Sequence, residues 1–428
     1  MLDLRKIREN PEAVKEGIRK KQELEALPLV DELLAADRAH RQKKAALDRL
    51  RSEQKKLSRE IGARKARGED ARALLARAEA LKAEIEALEA ETRDLERRIA
   101  ELLPQIPNLP HPSVPEGRGP EDNVVAKTWG EAPRFSFPAK PHWELAQELG
   151  IIDFERGARI AGSGFPVFLA DGARLIRALV NFFIEYHVGR GFVEVRPPLL
   201  VRPEAAFGTG QLPDKEGLMY QVAGGYYLIP TSEVPVTNLH AGEILDADEL
   251  PKKYTSYTPN FRVEAGSYGK DVRGLNRLHQ FDKVEMVVIS RPEESYPWLE
   301  RLTRQAEELL ELLELPYRRL LMCTGDMGFT QAKKYDLEVY SAAQGKWLEV
   351  SSISNMEDYQ ARRMNLRFRE GKGKPRFAHT LNGSGLAFPR VIAALLENHQ
   401  TEDGRVRLPE ALVPYFGKPY LGSAAPRP

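Results

Sequence analysis

Residues 29 to 103 constrain this chain more than any other stretch: they hold no proline, phenylalanine, tyrosine or tryptophan, only two glycines, and are mostly Ala, Leu, Arg, Lys and Glu. That is the composition of a long helix. Leu74, Ala78, Leu81, Ile85, Leu88, Thr92, Leu95, Ile99 and Leu102 recur at alternating intervals of four and three, a seam of period 3.5 with Thr92 its only polar member. Leu33, Ala36, His40, Lys43, Leu47, Leu50, Gln54, Leu57 and Ile61 carry the same rhythm through the first half, and both glycines, Gly62 and Gly68, fall between the runs. The pattern predicts two antiparallel helices joined near Gly68, each of roughly 33 residues and about 50 Å long at 1.5 Å per residue. A narrow seam on each helix covers only the partner helix, so the pair is expected to project as an arm.

Charge gives the arm a direction. The whole chain is nearly neutral, with 64 Lys and Arg against 63 Asp and Glu, so its average surface attracts neither phosphate nor cations. From Arg38 to Arg67, however, there are twelve basic residues and three acidic ones, while Glu69 to Leu103 holds six and ten. A charge run is usually only a solvated face. Here like charges gather on one helix and the turn, where repulsion calls for a counter-charge, and a phosphate backbone supplies it. Arg38, Arg41, Lys43, Lys44, Lys55, Lys56, Arg64 and Lys65 are the candidate contacts.

At 428 residues the chain has room for two or three folded units. Residues 1–103 form the helical arm unit, the Pro-rich stretch 104–120 reads as an extended linker, and 121–428 as one large domain. Beyond the linker, strand-like runs (192–195, 226–229, 284–289 and 347–353) alternate with helical patterns (174–188, 297–313 and 390–399), which is mixed α/β. No GxxxxGK[ST] loop occurs, so side chains must hold ATP if it binds. The single cysteine, Cys323, allows no intrachain disulfide and no Cys-rich zinc site. The opening MLDLRKIRENPE lacks a signal peptide's apolar core and no run approaches a membrane span, so a soluble cytoplasmic protein is expected.

In the segment FRVE, period-two alternation puts Arg262 and Glu264 on one strand face. After a loop rich in Gly, Arg and Lys come Arg277, Phe281 and Glu285 at intervals of four, with Phe281, Lys283 and Glu285 sharing a face. Glu285 runs straight into Met286, Val287, Val288 and Ile289, where a carboxylate is costly unless paired. Arg262 alone could be that partner in a structural ion pair, but a basic Gly-rich hairpin is also a good phosphate clamp.

With these residues in place, the chain resembles a class II aminoacyl-tRNA synthetase, and within that class the seryl-tRNA synthetases of the common bacterial type. RGFVEVRPPLL matches the first class motif, FRVE followed by RLHQFDKVE matches the second (FRxE, loop, RxxxFxxxE), and LNGSGLAFPR is similar to the third. The third departs from the class pattern at Ala387 and Pro389, where Gly and Glu are usual. TSEVPVTNLHAGEIL and LEVSSISNMEDYQARR point to serine, and the helical hairpin agrees, because this family grips the long variable arm of its tRNA with such an arm. The resemblance spans essentially the whole chain. Only the last dozen residues say little, and they are expected to form a loose tail.

The resemblance implies a fold, a reaction and a set of roles. The fold is α+β: an antiparallel sheet flanked by helices, with an N-terminal two-helix coiled coil. The reaction is ATP-dependent attachment of serine to tRNA(Ser), and to selenocysteine tRNA, through a seryl-adenylate, by a homodimer pairing through residues 182–200. Thr231, Ser232 and Glu233 would meet the substrate's amino group, and alternation puts Thr231 and Glu233 on one strand face with Ser232 turned away; Pro230 and Pro235 also allow a turn. Glu285, with Asn382 and Ser384, would take the serine hydroxyl. Arg262 would bridge serine carboxylate and α-phosphate, with Val263, Glu264 and Leu278 beside it. Phe281 would stack on adenine or else sit in the core, and Arg390 would hold the γ-phosphate. Glu349 and Ser352 would bind Mg²⁺, flanked by Val350 and Ser351, although alternation pairs Glu349 with Ser351, so Ser352 requires a bulge or strand end. No zinc is implied: threonyl enzymes and the archaeal seryl type hold one with Cys or His ligands, and this chain has no such cluster.

Overall fold

In the computed structural model, residues 1–215, 217–264 and 273–422 are described. They divide into two compact units, Met1–Pro107 and Asn108–Pro428.

The first unit is helical: α1 (Leu4–Glu9), α2 (Pro11–Lys20), α3 (Leu27–Ala66) and α4 (Arg72–Leu102). Asp3 and Asn10 cap the two short helices with side-chain oxygens. Pro28 opens α3, where its missing N–H costs nothing. Gly68, at φ +71°, turns the chain back, and the Asp70 carboxylate takes the first free N–H of α4, Arg72, at 2.9 Å. Every predicted seam residue on both helices is buried or half-buried. Thr92 satisfies its hydroxyl on the Leu88 carbonyl at 2.7 Å. Where the seam turns polar, α4 supplies carboxylates: His40 Nε2 lies 3.1 Å from Glu96 and Lys43 meets Glu91. Arg51 to Glu89 at 2.8 Å and Arg77 to Glu53 at 2.9 Å continue the antiparallel pairing toward the turn.

In the second unit the expected linker is not a free one. Asn108 is buried, and its amide donates to the carbonyls of Thr330 and Met356 at 2.9 Å each. The Thr324 N–H donates to Pro115 O at 2.9 Å. Prolines remove donors, but their carbonyls still accept, and this stretch uses them to lie against the unit.

An eight-stranded sheet forms the frame, with β1 (Val124–Trp129), β2 (Val193–Glu194), β3 (Lys252–Phe261), β4 (Gln280–Ser290), β5 (Tyr317–Leu321), β6 (Lys333–Ser341), β7 (Lys346–Asn355) and β8 (His379–Ala387). Their order is β1-β5-β6-β7-β8-β4-β3-β2, antiparallel throughout except for β2 beside β3. The helices used below are α5 (His142–Glu148), α6 (Ala170–Val188), α7 (Glu233–Thr237), α8 (Ser295–Leu312) and α9 (Phe388–Asn398). Leu175, Leu179 and Phe183 of α6, Leu302 and Leu309 of α8, and Val391 and Leu395 of α9 share one core with Val284, Met286 and Val288 of β4. With those three side chains turned into the core, alternation leaves Lys283 and Glu285 on the opposite face. The expected loose tail is corrected as far as Gly422: Leu421 is fully buried and pairs with Val406. Residues 423–428 lie outside the described residues.

Candidate active site and charged arm

The pocket is built on β4 and β8, with Glu285 opposite Ser384 and Val287 opposite Asn382. Glu285 is 1% exposed, and its partner is Lys283 rather than Arg262: the ammonium lies 2.5 Å from Glu285 Oε2 and donates to the Thr231 hydroxyl at 2.8 Å. Two residues apart on one strand face, the pair needs no long reach. Asn382 Nδ2 donates to Glu285 Oε1 at 3.2 Å, while Asn382 Oδ1 is buried without a partner among the described residues.

Thr231 and Glu233 do not lie on a strand. The chain turns there and enters α7, with Pro235 in its first turn, where no N–H is required. The turn still brings both side chains to the pocket: the Glu233 N–H donates to Thr231 Oγ1 at 3.3 Å and the Thr231 hydroxyl reaches Glu285 at 3.5 Å. Ser232 faces elsewhere, accepting from the Ser256 hydroxyl at 2.8 Å. Gln360 donates to the Glu233 carboxylate at 2.7 Å and itself accepts from Thr380 at 2.6 Å. Burial, reinforced by the charge of Glu285, pushes the Glu233 carboxyl up to about 7.

Arg262 donates from Nε to Pro230 O at 3.3 Å, and its guanidinium sits 5.1 Å from the centre of the half-buried Phe281 ring. The strand alternation expected at FRVE fails because β3 ends at Phe261. Glu264 has φ +49° and its carboxylate takes Arg277 at 3.0 Å. Val263 donates its N–H to Leu218 O at 2.9 Å, and Leu278 is buried in the core. Most of the basic Gly-rich loop, residues 265–272, lies outside the described residues.

On β7 the register shifts against β6: Glu338 pairs with Glu349, yet Leu337 pairs with Ser351. The bulge falls at Val350 and reverses the alternation. Val350 is buried and the Ser351 hydroxyl donates to Ser384 O at 2.6 Å, so the side chains of both turn inward. Ser352 instead stands directly opposite Asp336 on β6. Asp336 is buried, with Lys334 3.0 Å from one oxygen and no partner among the described residues for the other. Burial foremost, and then the nearby Glu349 charge, raises its carboxyl pKa against the pull of Lys334. Arg390 donates from Nε to Asn276 O and from Nη1 to Glu349 O, both at 2.9 Å. Lys283, Gln360, Asp336 and Asn276 are site residues the sequence reading missed. Lys283 alone left a signal, through its shared face with Glu285.

On the arm, three of the eight candidate contacts are already engaged. Lys43 meets Glu91, Arg41 lies 3.0 Å from Asp37, and Arg64 lies 3.6 Å from Glu60. Arg38, Lys44, Lys55, Lys56 and Lys65 are exposed and make no ion pair among the described residues, as are Arg49 and Arg59. At 3.6 residues per turn, Arg38, Arg49 and Lys56 line up on the side of α3 away from the seam.

An antiparallel sheet with FRxE at one strand end, a carboxylate on the neighbouring strand and an arginine opening the helix after the third motif defines a class II tRNA synthetase. The class II tRNA synthetase core domain of the G, H, P, S and T enzymes matches residues 221–399, and the seryl-tRNA synthetase N-terminal domain matches residues 1–110. The chain is 56% identical to a serine–tRNA ligase of Salinibacter ruber, over 99% of this chain and all of that one. A crystal structure of seryl-tRNA synthetase from Pyrococcus horikoshii complexed with ATP aligns at a TM-score of 0.95 and 43% identity, over 99% of this chain and 100% of that one. The cytoplasmic enzyme of Naegleria fowleri, in complex with AMP, aligns at 0.87 and 27% identity, over 96% of each chain. The chain belongs to the seryl-tRNA synthetase family, the serine–tRNA ligases.

Proposed function

We propose that this chain joins serine to ATP as a seryl-adenylate and passes the seryl group to tRNA(Ser), and to selenocysteine tRNA, in the cytoplasm. The observation that carries the reading is the buried Glu285, flanked by Thr231, Lys283, Asn382 and Ser384. A buried acceptor discriminates against a substrate lacking the hydroxyl by about 10⁴ or more, because the acceptor is then left unpaired. Glu233 and Thr231 take the substrate ammonium, whose charge favours the ionised form of Glu233. Serine itself supplies the nucleophile: its carboxylate oxygen attacks the α-phosphorus, the bond to the β-phosphate oxygen breaks, and pyrophosphate leaves. A terminal ribose hydroxyl of the tRNA then attacks the acyl carbon and AMP departs.

The protein's part is positioning and charge neutralisation. Arg262 spans the serine carboxylate and the α-phosphate, Phe281 offers its ring to adenine, and Arg390 takes the γ-phosphate. Val263, Glu264, Leu278, Val350 and Ser351 serve through their backbone, the side chains of the last four being engaged or buried elsewhere. Among the described residues no group of three His, Cys, Asp or Glu could hold a metal. Mg²⁺ needs only one or two carboxylates when phosphates and water complete its shell. The hard oxygens of Glu349 and Ser352, backed by the unpartnered oxygen of Asp336, fit that ion. When bound it would neutralise phosphate charge.

The uncompensated lysines and arginines of α3 grip the tRNA backbone. Two copies pair through residues 182–200, where Val188, Val193 and Leu200 are 44%, 59% and 47% exposed. Among the described residues no helix is long and apolar enough to cross a membrane. The test is ATP–pyrophosphate exchange with each of the twenty amino acids: serine supports it, and threonine, alanine and glycine do so only marginally. Equal rates with threonine overturn the assignment.

A further inference from the structure

Helix α9 carries Arg390 in its first turn and Glu397 near its end. Glu397 is no part of the pocket, yet it is fully buried, as is His142 at the start of α5. Glu397 Oε1 accepts the His142 N–H at 3.0 Å, lies 2.7 Å from His142 Nδ1, and accepts from Gln344 Nε2 at 3.1 Å. Its other oxygen takes the Ser341 hydroxyl and, at 3.3 Å, the Ala343 N–H. A buried carboxylate is tolerable only with such a set of donors. Burial, the largest influence, opposes ionisation, but the bonds from His142 and Ser341 outweigh it and hold the carboxyl below its ordinary value.

The far side of the imidazole faces another segment. His142 Nε2 accepts the Leu275 N–H at 2.8 Å, so the ring is neutral with its proton on Nδ1. Gly274 passes so close that a Cβ there would come within 2.2 Å of Nε2. Asn276, which follows Leu275, gives its side-chain amide to Gln344 Oε1 and its backbone carbonyl to Arg390 Nε, both at 2.9 Å. The bonds close a ring: from Glu397 through His142 to Leu275 and Asn276, on to Arg390, and back along α9, with Gln344 spanning the middle. Nη2 of Arg390 is left without a hydrogen-bond partner among the described residues.

We infer that the buried His142–Glu397 pair, with Gln344, is a positioning circuit that fixes the direction of the Arg390 guanidinium and thereby sets affinity for the triphosphate tail of the nucleotide. This rests on Arg390 as the phosphate ligand proposed above. A guanidinium held at Nε and at one Nη keeps one orientation before the ligand arrives, which removes an ordering cost from binding. Thr231, Glu233 and Glu285 take no part in the circuit.

The test uses the full chain and four variants: Gln344→Ala, Glu397→Gln, Arg390→Ala, and Gln344→Ala combined with Arg390→Ala. Each is assayed by calorimetric titration with ATP and with AMP, by the serine and ATP KM values of pyrophosphate exchange, and by thermal melting. Gln344→Ala and Glu397→Gln should weaken ATP by up to about 100-fold, leaving AMP affinity and serine KM unchanged. In the Arg390→Ala background Gln344→Ala should add nothing. Gln344 is half-buried, so its variant carries the test if Glu397→Gln does not fold. Equal losses for ATP and AMP, or a Gln344→Ala effect that is the same with and without Arg390, overturn the circuit and leave the network a structural one. Unchanged ATP affinity in Arg390→Ala instead overturns the phosphate role of Arg390 on which the circuit rests.

Discussion

Lys43 on the helical pair and Lys283 in the pocket each sit against a glutamate, yet the two pairs answer to different physics. The side chains of Lys43 and Glu91 are 37% and 54% exposed, those of Lys283 and Glu285 7% and 0%. In water an ion pair adds roughly 0 to 1 kcal/mol, whereas breaking one in the interior leaves a stranded charge at about 3 to 5 kcal/mol. The helical pair can therefore leave seven of the eleven basic residues of α3 unpaired at little cost and keep them for a partner. The pocket cannot: Lys283 and Glu285 match each other and Gln360 holds Glu233, so a substrate must displace or join bonds already made.

The sharpest way to break the comparison is to remove one side of it. With residues 30–102 replaced by a short Gly/Ser link, serine-dependent pyrophosphate exchange should stay close to that of the full chain while tRNA charging collapses. Equal charging by the two proteins would show that the helical pair is not the tRNA grip.

Next in size is Glu285→Ala. Loss of a charged, buried hydrogen bond of roughly 3 kcal/mol should lower serine kcat/KM by at least about 10²-fold. Unaltered serine kinetics would reduce Glu285 to a structural ion-pair member.

On the exposed side, replacing Lys44, Lys55 and Lys56 together by Ala should weaken tRNA binding and flatten its salt dependence by about 0.7 to 0.9 logarithmic units per lost phosphate contact, with serine and ATP constants fixed. A salt slope identical to that of the parent would place the contacts elsewhere.

Titration gives a smaller effect. Glu233, held at about 7, is mostly protonated near pH 6 and mostly ionised near pH 8. Because the ionised form pairs with the serine ammonium, serine KM should fall several-fold over that interval, and Glu233→Gln should abolish the trend. Stability runs the other way: an acid whose pKa is raised in the folded state stabilises it at low pH, and that contribution is lost as pH rises from the ordinary 4.5 through about 7.

The least effect belongs to Lys43→Ala. It should cost the helical pair less than about 1 kcal/mol in thermal or urea unfolding and leave the tRNA salt slope where it was, since its charge is committed to Glu91.

The helical pair was readable almost residue by residue, because a 3.5-residue period maps directly onto which side chains face the partner helix. The pocket was readable only where chemistry is local. Arg262, Glu285 and Arg390 stand out by motif, and Glu285 also by its place in an apolar strand. The geometry between Thr231 and Glu233 was misread because β-branched residues around two prolines suggest an extended strand, whereas Pro235 is cheap in the first turn of a helix. The left-handed Glu264 has no sequence signature. Asp336 and Gln360 reach the site through strand pairing and helix placement, contacts that no local pattern announces. The pairing of Glu349 with Ser352 required a bulge or a strand end, and only the register against β6 places a bulge, at Val350.

The unbroken seam makes the helical pair a ruler with fixed graduations. Because the pattern repeats every seven residues on both helices, cutting one heptad from each would keep every apolar contact in phase and bring the tip back by about 10 Å. Cuts of three or four residues would rotate one stripe away from the other. The length of this unit can thus be edited only in steps of a heptad, and a tRNA whose variable arm is lengthened or shortened by a matching number of base pairs is the natural gauge against which to read each step.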